Sequence, residues 1–201
     1  MPDLRVDLFG EDAAHEDCGR ALIYRCADLE GVKVDVHPVS VRFGIGRLKH
    51  ELRAYQAAAT KGLLRLPDLL VVLIDANRIG TAARRREVRD VISPQAVPHV
   101  AVGTPDPYVE AWLLADAPSF AQRFGQQPQH GGRGGRDALK NVLVDALEAA
   151  GEIVLQGGYE FSQEILEVMD LGRAGRAEPS LGSFVDEVRR ELRRLGQERN
   201  A

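Results

Sequence analysis

The chain has too few cysteines for a disulfide framework, no apolar stretch long enough to cross a membrane and no excess of positive charge, and each shortage removes a class of function. Its two cysteines, Cys18 and Cys26, stand on an expected helix about 12 Å apart along the axis, too far for a disulfide. With Leu22 and Leu29 they form a helical stripe, so buried free thiols are expected rather than a redox or metal pair. No run approaches the roughly 18 apolar residues of a membrane helix. Met1-Pro2-Asp3 opens the chain where a secretory leader would place basic and then apolar residues, so a cytoplasmic protein is expected. A net charge of −4 gives no global field to attract nucleic acid, so any such binding must use a local basic surface. There is no P-loop and no internal repeat. Gly44-Ile45-Gly46 lacks the third glycine and the tight strand-to-helix setting of a dinucleotide fingerprint.

What is present fits one medium α/β domain: 201 residues, 44% hydrophobic and 28% charged, enough to bury a core. Strand and helix signals alternate through the first two thirds, the pattern of a parallel sheet covered by helices. Strands are expected over 4–9, 32–38, 69–74 and 99–102, and helices over 14–29, 48–60, 81–92 and 108–115, the last with Pro107 in its first turn. Leu69-Leu70-Val71-Val72-Leu73-Ile74 is the most apolar run, and its unbroken apolarity places it centrally in the sheet, buried on both faces. The low-complexity stretch Gly125 to Arg136 is expected to be a loop dividing an α/β part, 1–124, from a helical extension, 137–201, that packs on the same domain. Three helices are expected there, over 137–150, 159–171 and 183–195, with Ser183 and Glu187 near a cap and Gly172 as a terminator.

Two acids stand out. Glu11 follows the first strand and Asp75 follows the central one, so both sit at the carboxyl edge of one sheet and become neighbours if their strands are adjacent or nearly so. Carboxylates about 4 Å apart repel by roughly 4 kcal/mol at an effective dielectric near 20, which a divalent cation converts to attraction. Oxygen-only ligands favour Mg²⁺ or Mn²⁺ over zinc. The alternative is helix capping, by Glu11 or Asp12 for the first helix and by Asp75 or Asn77 for the third. Glu16 and Asp17 lie one turn into the first helix, where they complete a metal site or only complement the dipole. His15 is expected at the surface or behind the ligands, because no zinc-ligand spacing surrounds it. On composition alone Glu110 and Asp116 are solvated helix acids.

Glu11, the pair Asp75-Ala76-Asn77 after a central apolar strand, and the helix Glu110-Ala111-Trp112-Leu113-Leu114-Ala115-Asp116 together resemble the Toprim domain. The likeness is to small stand-alone Toprim proteins related to the nuclease part of the OLD (overcoming lysogenization defect) family. It implies a Toprim-like, Rossmann-like mainly parallel sheet flanked by helices with a C-terminal helical extension, and metal-dependent phosphodiester hydrolysis of nucleic acid. The matching Glu11 and Asp75 would bind Mg²⁺ or Mn²⁺, with Asn77, Glu16 and Glu110 as further ligands and Lys140 assisting catalysis. The chain departs from the pattern in placing an amide, Asn77, where a second acid is expected, in reading Gly10-Glu11-Asp12 around the glutamate, and in setting Glu16 one position late. An inactive Toprim scaffold serving as an interaction subunit therefore stands as the alternative, and a nucleotide-binding doubly wound protein as a third reading.

Arg78, Arg84, Arg85, Arg86 and Arg89 follow Asp75, and Arg42, Arg47, Lys49 and Arg53 flank the loop Phe43-Gly44-Ile45-Gly46. Both sets follow strands and are candidates to hold phosphates of nucleic acid, against the alternative of solvated helix faces. Proteins of this likeness are commonly encoded beside an ABC-type or AAA-type ATPase and are thought to act in defence against phage, so the resemblance implies such an ATPase as partner. Self-association stands as a further option.

Overall fold

A computed structural model describes residues 3–42, 44–77, 79–128 and 136–200, without the side chains of Arg136 and Asn200. Four parallel strands, β1 (Leu4–Gly10), β2 (Val34–Ser40), β3 (Leu69–Leu73) and β4 (Val100–Gly103), lie in the order β2-β1-β3-β4. Helices α1 (Ala13–Glu30), α2 (Gly44–Thr60) and α3 (Thr81–Arg89) connect them in turn, giving a Rossmann-like α/β sheet. The chain then continues through α4 (Val109–Leu113), α5 (Ala117–Phe124), α6 (Arg136–Ala149), the 3-10 turn Tyr159–Phe161, α7 (Ser162–Val168), α8 (Leu171–Ala177) and α9 (Pro179–Asn200).

Strand alternation assigns the two cores. On one face Leu4, Val6, Leu8, Leu69, Val71 and Leu73 pack against α1 and the later helices, through Cys18, Leu22, Trp112, Phe120, Leu143 and Phe184 among others. On the other, Phe9, Leu70, Val72 and Val102 pack against Leu48 and Leu52 of α2 and Val88 of α3. β3 is buried at every position and central, as its apolar run predicts. Each of its side chains contributes roughly 1.5–3 kcal/mol by burial. Both thiols are free and buried, but Leu29, placed on the same stripe, is 55% exposed because it lies in the last turn of α1, beyond the sheet.

Several expected boundaries move. The helix expected to hold Pro107 in its first turn starts only at Val109, after the Pro107 carbonyl has accepted the Asn77 N–H. The segment 159–171 divides into a 3-10 turn and α7, then restarts as α8 behind an Asp170 cap, so Gly172 lies inside a helix rather than ending one. α9 begins on Pro179, whose missing N–H is harmless in a first turn. Ser183 and Glu187 are therefore interior to α9, not at its cap. Of the expected loop 125–136, residues 129–135 lie outside the described residues.

Glu187 instead finishes the sheet. It is buried, accepts the outward N–H of Val102 at 3.0 Å and pairs with Arg85 at 2.7 Å, while Arg85 donates to the Val102 carbonyl. Two side chains thus satisfy the edge of β4 that a fifth strand would otherwise satisfy. Gly103 lets this corner close, since a Cβ there would stand 2.9 Å from Phe184 and 3.0 Å from Trp112. Asp116, also buried rather than solvated, accepts Arg173 Nε at 2.5 Å and the Asp170 N–H at 2.7 Å. Burial opposes its ionisation, but these bonds outweigh it and hold the carboxyl down to about 2.

Glu187→Ala leaves the Val102 N–H and the Arg85 guanidinium without their acceptor, and is expected to cost about 2–4 kcal/mol in urea unfolding; a loss below about 0.5 kcal/mol contradicts this role for Glu187. For Asp116, the folded value lies below the unfolded one near 3.9, so its stabilisation is complete above pH of about 4 and disappears as pH falls toward 2. Thermal melts of Asp116→Asn should show lower stability at neutral pH and a shallower decline across that acid window than the parent.

Candidate metal centre

Adjacent strands deliver the two acids. Gly10, the last residue of β1, is in register with Leu73, the last of β3, so Glu11 and Asp75 leave the sheet side by side at its carboxyl edge. This is also where the topology switches direction: α1 leads from β1 to β2 on one side, and α2 returns the chain to β3 on the other. Crevices at such switch points are the usual ligand sites of open α/β sheets. The Asp75 N–H donates to Glu11 Oε2 at 3.4 Å, and the start of α2 lies close by, with Glu11 Oε1 3.8 Å from where a Cβ on Gly44 would stand.

His15 completes the group. It is fully buried in the first turn of α1, with Nε2 3.0 Å from Asp75 Oδ1 and Nδ1 2.7 Å from Asp12 Oδ1. Asp12 caps α1 by accepting the His15 N–H at 3.1 Å, so one carboxylate fixes both the helix start and the ring. Glu11, His15 and Asp75 each offer a donor atom, all within 4.8 Å of one another, and among the described residues no other such set occurs. Burial disfavours the charged ring, yet the bonds and attraction from Asp12 and Asp75 prevail and raise His15 to about 10. Both ring nitrogens thus face a carboxylate oxygen, an arrangement that favours the protonated ring. Glu11 is raised by burial and by Asp75, with His15 and the Asp75 N–H pulling the other way.

The remaining candidates fall around this group. Of the two positions expected for His15, complete burial removes the surface one, and its bond to Asp75, 60 residues away, could not be revealed by local spacing. Glu110 is buried, not solvated, and with Asp17 and Asp75 adds to the burial that pushes the Cys18 thiol well up. Glu16 packs over Gly10, where a Cβ would stand 2.7 Å from Glu16 Cγ, and its Oε1 is buried with no hydrogen-bond partner. Neither Glu16 nor Glu110 belongs to the set of three. Asn77 is exposed at φ 49°, a left-handed conformation that asparagine tolerates and most residues avoid. Lys140 is exposed on α6 and passes over Gly157.

The basic residues divide. Arg84 is buried and donates to the Asp75 carbonyl at 3.1 Å and to Glu87 at 2.7 Å; Arg85 serves β4 and Glu187. The guanidinium groups of these two candidate phosphate-binding arginines are thus engaged by acceptors of the chain itself. Arg78 and Phe43 lie outside the described residues. Arg42 and Arg47 are exposed and, with Ser40, Val41 and Glu51, line a depression of about 490 Å³ at the end of β2, where Arg47 pairs with Glu51 at 2.5 Å. No helix among the described residues is long and apolar enough to cross a membrane.

No family model, curated protein or solved structure matches the chain.

Asp12 carries two duties that substitution separates. Asp12→Ala is expected to lower stability by about 1–3 kcal/mol in urea unfolding, through loss of the α1 cap and of the His15 Nδ1 partner, while Asp12→Asn retains a capping oxygen and loses less. Equal stability of all three proteins would show that the cap and ring contacts contribute nothing.

Proposed function

We propose that Glu11 and Asp75 hold a divalent cation, Mg²⁺ or Mn²⁺, and that the protein is a Toprim-type nuclease hydrolysing phosphodiester bonds of nucleic acid. The observation that carries this reading is the meeting of the two carboxylates at the switch point of the sheet, joined through the Asp75 N–H. The site fits a cation: three donor groups lie within 4.8 Å, and a buried Glu16 oxygen without a hydrogen-bond partner stands on the same first turn of α1 as His15. The ion would polarise the phosphoryl group and lower the pKa of a bound water.

The chain's own residues hold that centre. Arg84 braces the Asp75 main chain, fixing the carboxylate that follows β3. Arg42 and Arg47 border the depression beside β2 and are the described cations best placed to receive phosphates. Glu110, Asn77 and Lys140 retain supporting roles only by resemblance. The same resemblance suggests a cytoplasmic effector in phage defence working beside an ABC-type or AAA-type ATPase. A non-catalytic scaffold is favoured by one observation, the His15 ring bonded to both Asp12 and Asp75, which gives these groups partners without an ion.

Purified protein incubated with plasmid, single-stranded DNA and RNA in Mg²⁺ or Mn²⁺ is expected to cut at least one substrate. Glu11→Ala and Asp75→Ala should each reduce cutting by at least the ten- to hundredfold typical of lost support around a metal. Absence of cutting by the parent, or undiminished cutting by both variants, overturns the nuclease reading.

A further inference from the structure

Resting on the reading that Glu11 and Asp75 hold a cation, we infer that His15 is its third ligand, oriented by Asp12, and that this nitrogen makes the centre select Mn²⁺ or Zn²⁺ over Mg²⁺. The ring is completely buried, and its two nitrogens face different carboxylates: Nδ1 meets Asp12 Oδ1 at 2.7 Å and Nε2 meets Asp75 Oδ1 at 3.0 Å. Metal-bound histidines commonly show this division of labour, with one nitrogen turned to the ion and the other held by a carboxylate that fixes ring orientation. Asp12 is itself immobilised, because the same Oδ1 caps α1 through the His15 N–H. The Nε2 atom is thereby fixed beside Asp75 before any ion arrives.

A purely structural ion pair accounts for less of the arrangement. Such a pair needs one carboxylate, whereas the ring here sits among Asp12, Asp75 and Glu11, the last leaning on the Asp75 N–H. Arg84, a buried arginine, directs its guanidinium to the Asp75 main-chain oxygen and to Glu87 rather than to these carboxylates. The carboxyl groups of Asp75 and Glu11 and the ring of His15 thus converge within 4.8 Å, a spacing that one dication can span. Glu16 adds a buried carboxylate oxygen without a partner on the same turn of α1. His15 would hold the ion through the Nε2 lone pair, with any proton on that nitrogen passing to solvent. Hard Mg²⁺ prefers oxygen and gains little from this nitrogen, while imidazole suits transition metals.

Calorimetry of the metal-free protein with Mn²⁺, Zn²⁺ and Mg²⁺ separates the possibilities, using the parent, His15→Gln and Asp75→Asn. The expected result is one Mn²⁺ or Zn²⁺ bound at least about tenfold more tightly than Mg²⁺, with that ratio collapsing in His15→Gln and all binding weakened in Asp75→Asn. Binding that depends on Asp75 but keeps the same metal ratio in His15→Gln overturns the inference and leaves the cation site standing. Failure of the parent to bind any of the three ions overturns both. Pulsed electron paramagnetic resonance of the Mn²⁺-loaded parent needs no variant: coupling to an imidazole nitrogen is expected, and its absence rules His15 out as a ligand.

Discussion

Parallel pairing of β1 with β3, with Gly10 opposite Leu73, is the constraint from which the candidate centre follows. Both strands are buried between two helical layers, so neither can slip by one residue without moving apolar side chains from one core to the other. The register therefore fixes where each chain leaves the sheet. Glu11 and Asp75 are brought together against their own repulsion because the apolar cost of separating the strands exceeds it. Asp12 and His15 supply the compensating contacts from the first turn of α1.

The β4 edge of the sheet uses charge differently. At β4 the acid Glu187 and the base Arg85 are partners, and together they satisfy the open edge of Val102 and secure α9 to the sheet. Near Asp75, three carboxyl groups surround one buried imidazole ring. The first network is complete in itself and reads as structure. The second offers donor groups that a cation could join, which is why the proposed function is placed there.

Much of the sheet is legible in the residues. The apolar run 69–74 announces a central strand, and an acid at the end of each central strand follows from the chain order alone. The centre itself is only half legible. His15 lacks any local ligand spacing, and its burial depends on Asp75, 60 residues on. Arg84 and Arg85 read as a basic helix face, yet one is turned to a main-chain oxygen and the other to Glu187, 102 residues away. Asn77 looks like a lost acid, but its positive φ supplies a conformational reason for an asparagine at that turn. In each case a partner distant in sequence, or a backbone angle, decides what composition leaves open.

The central claim is that the carboxyl edge between β1 and β3 is a cation site. A crystal structure of the protein grown with Mn²⁺, with anomalous diffraction recorded for manganese, tests it most directly. The account predicts a manganese peak in contact with the carboxylates of both Glu11 and Asp75. An unaltered His15 bridge between Asp12 and Asp75, with no anomalous peak beside it at saturating Mn²⁺, would contradict it.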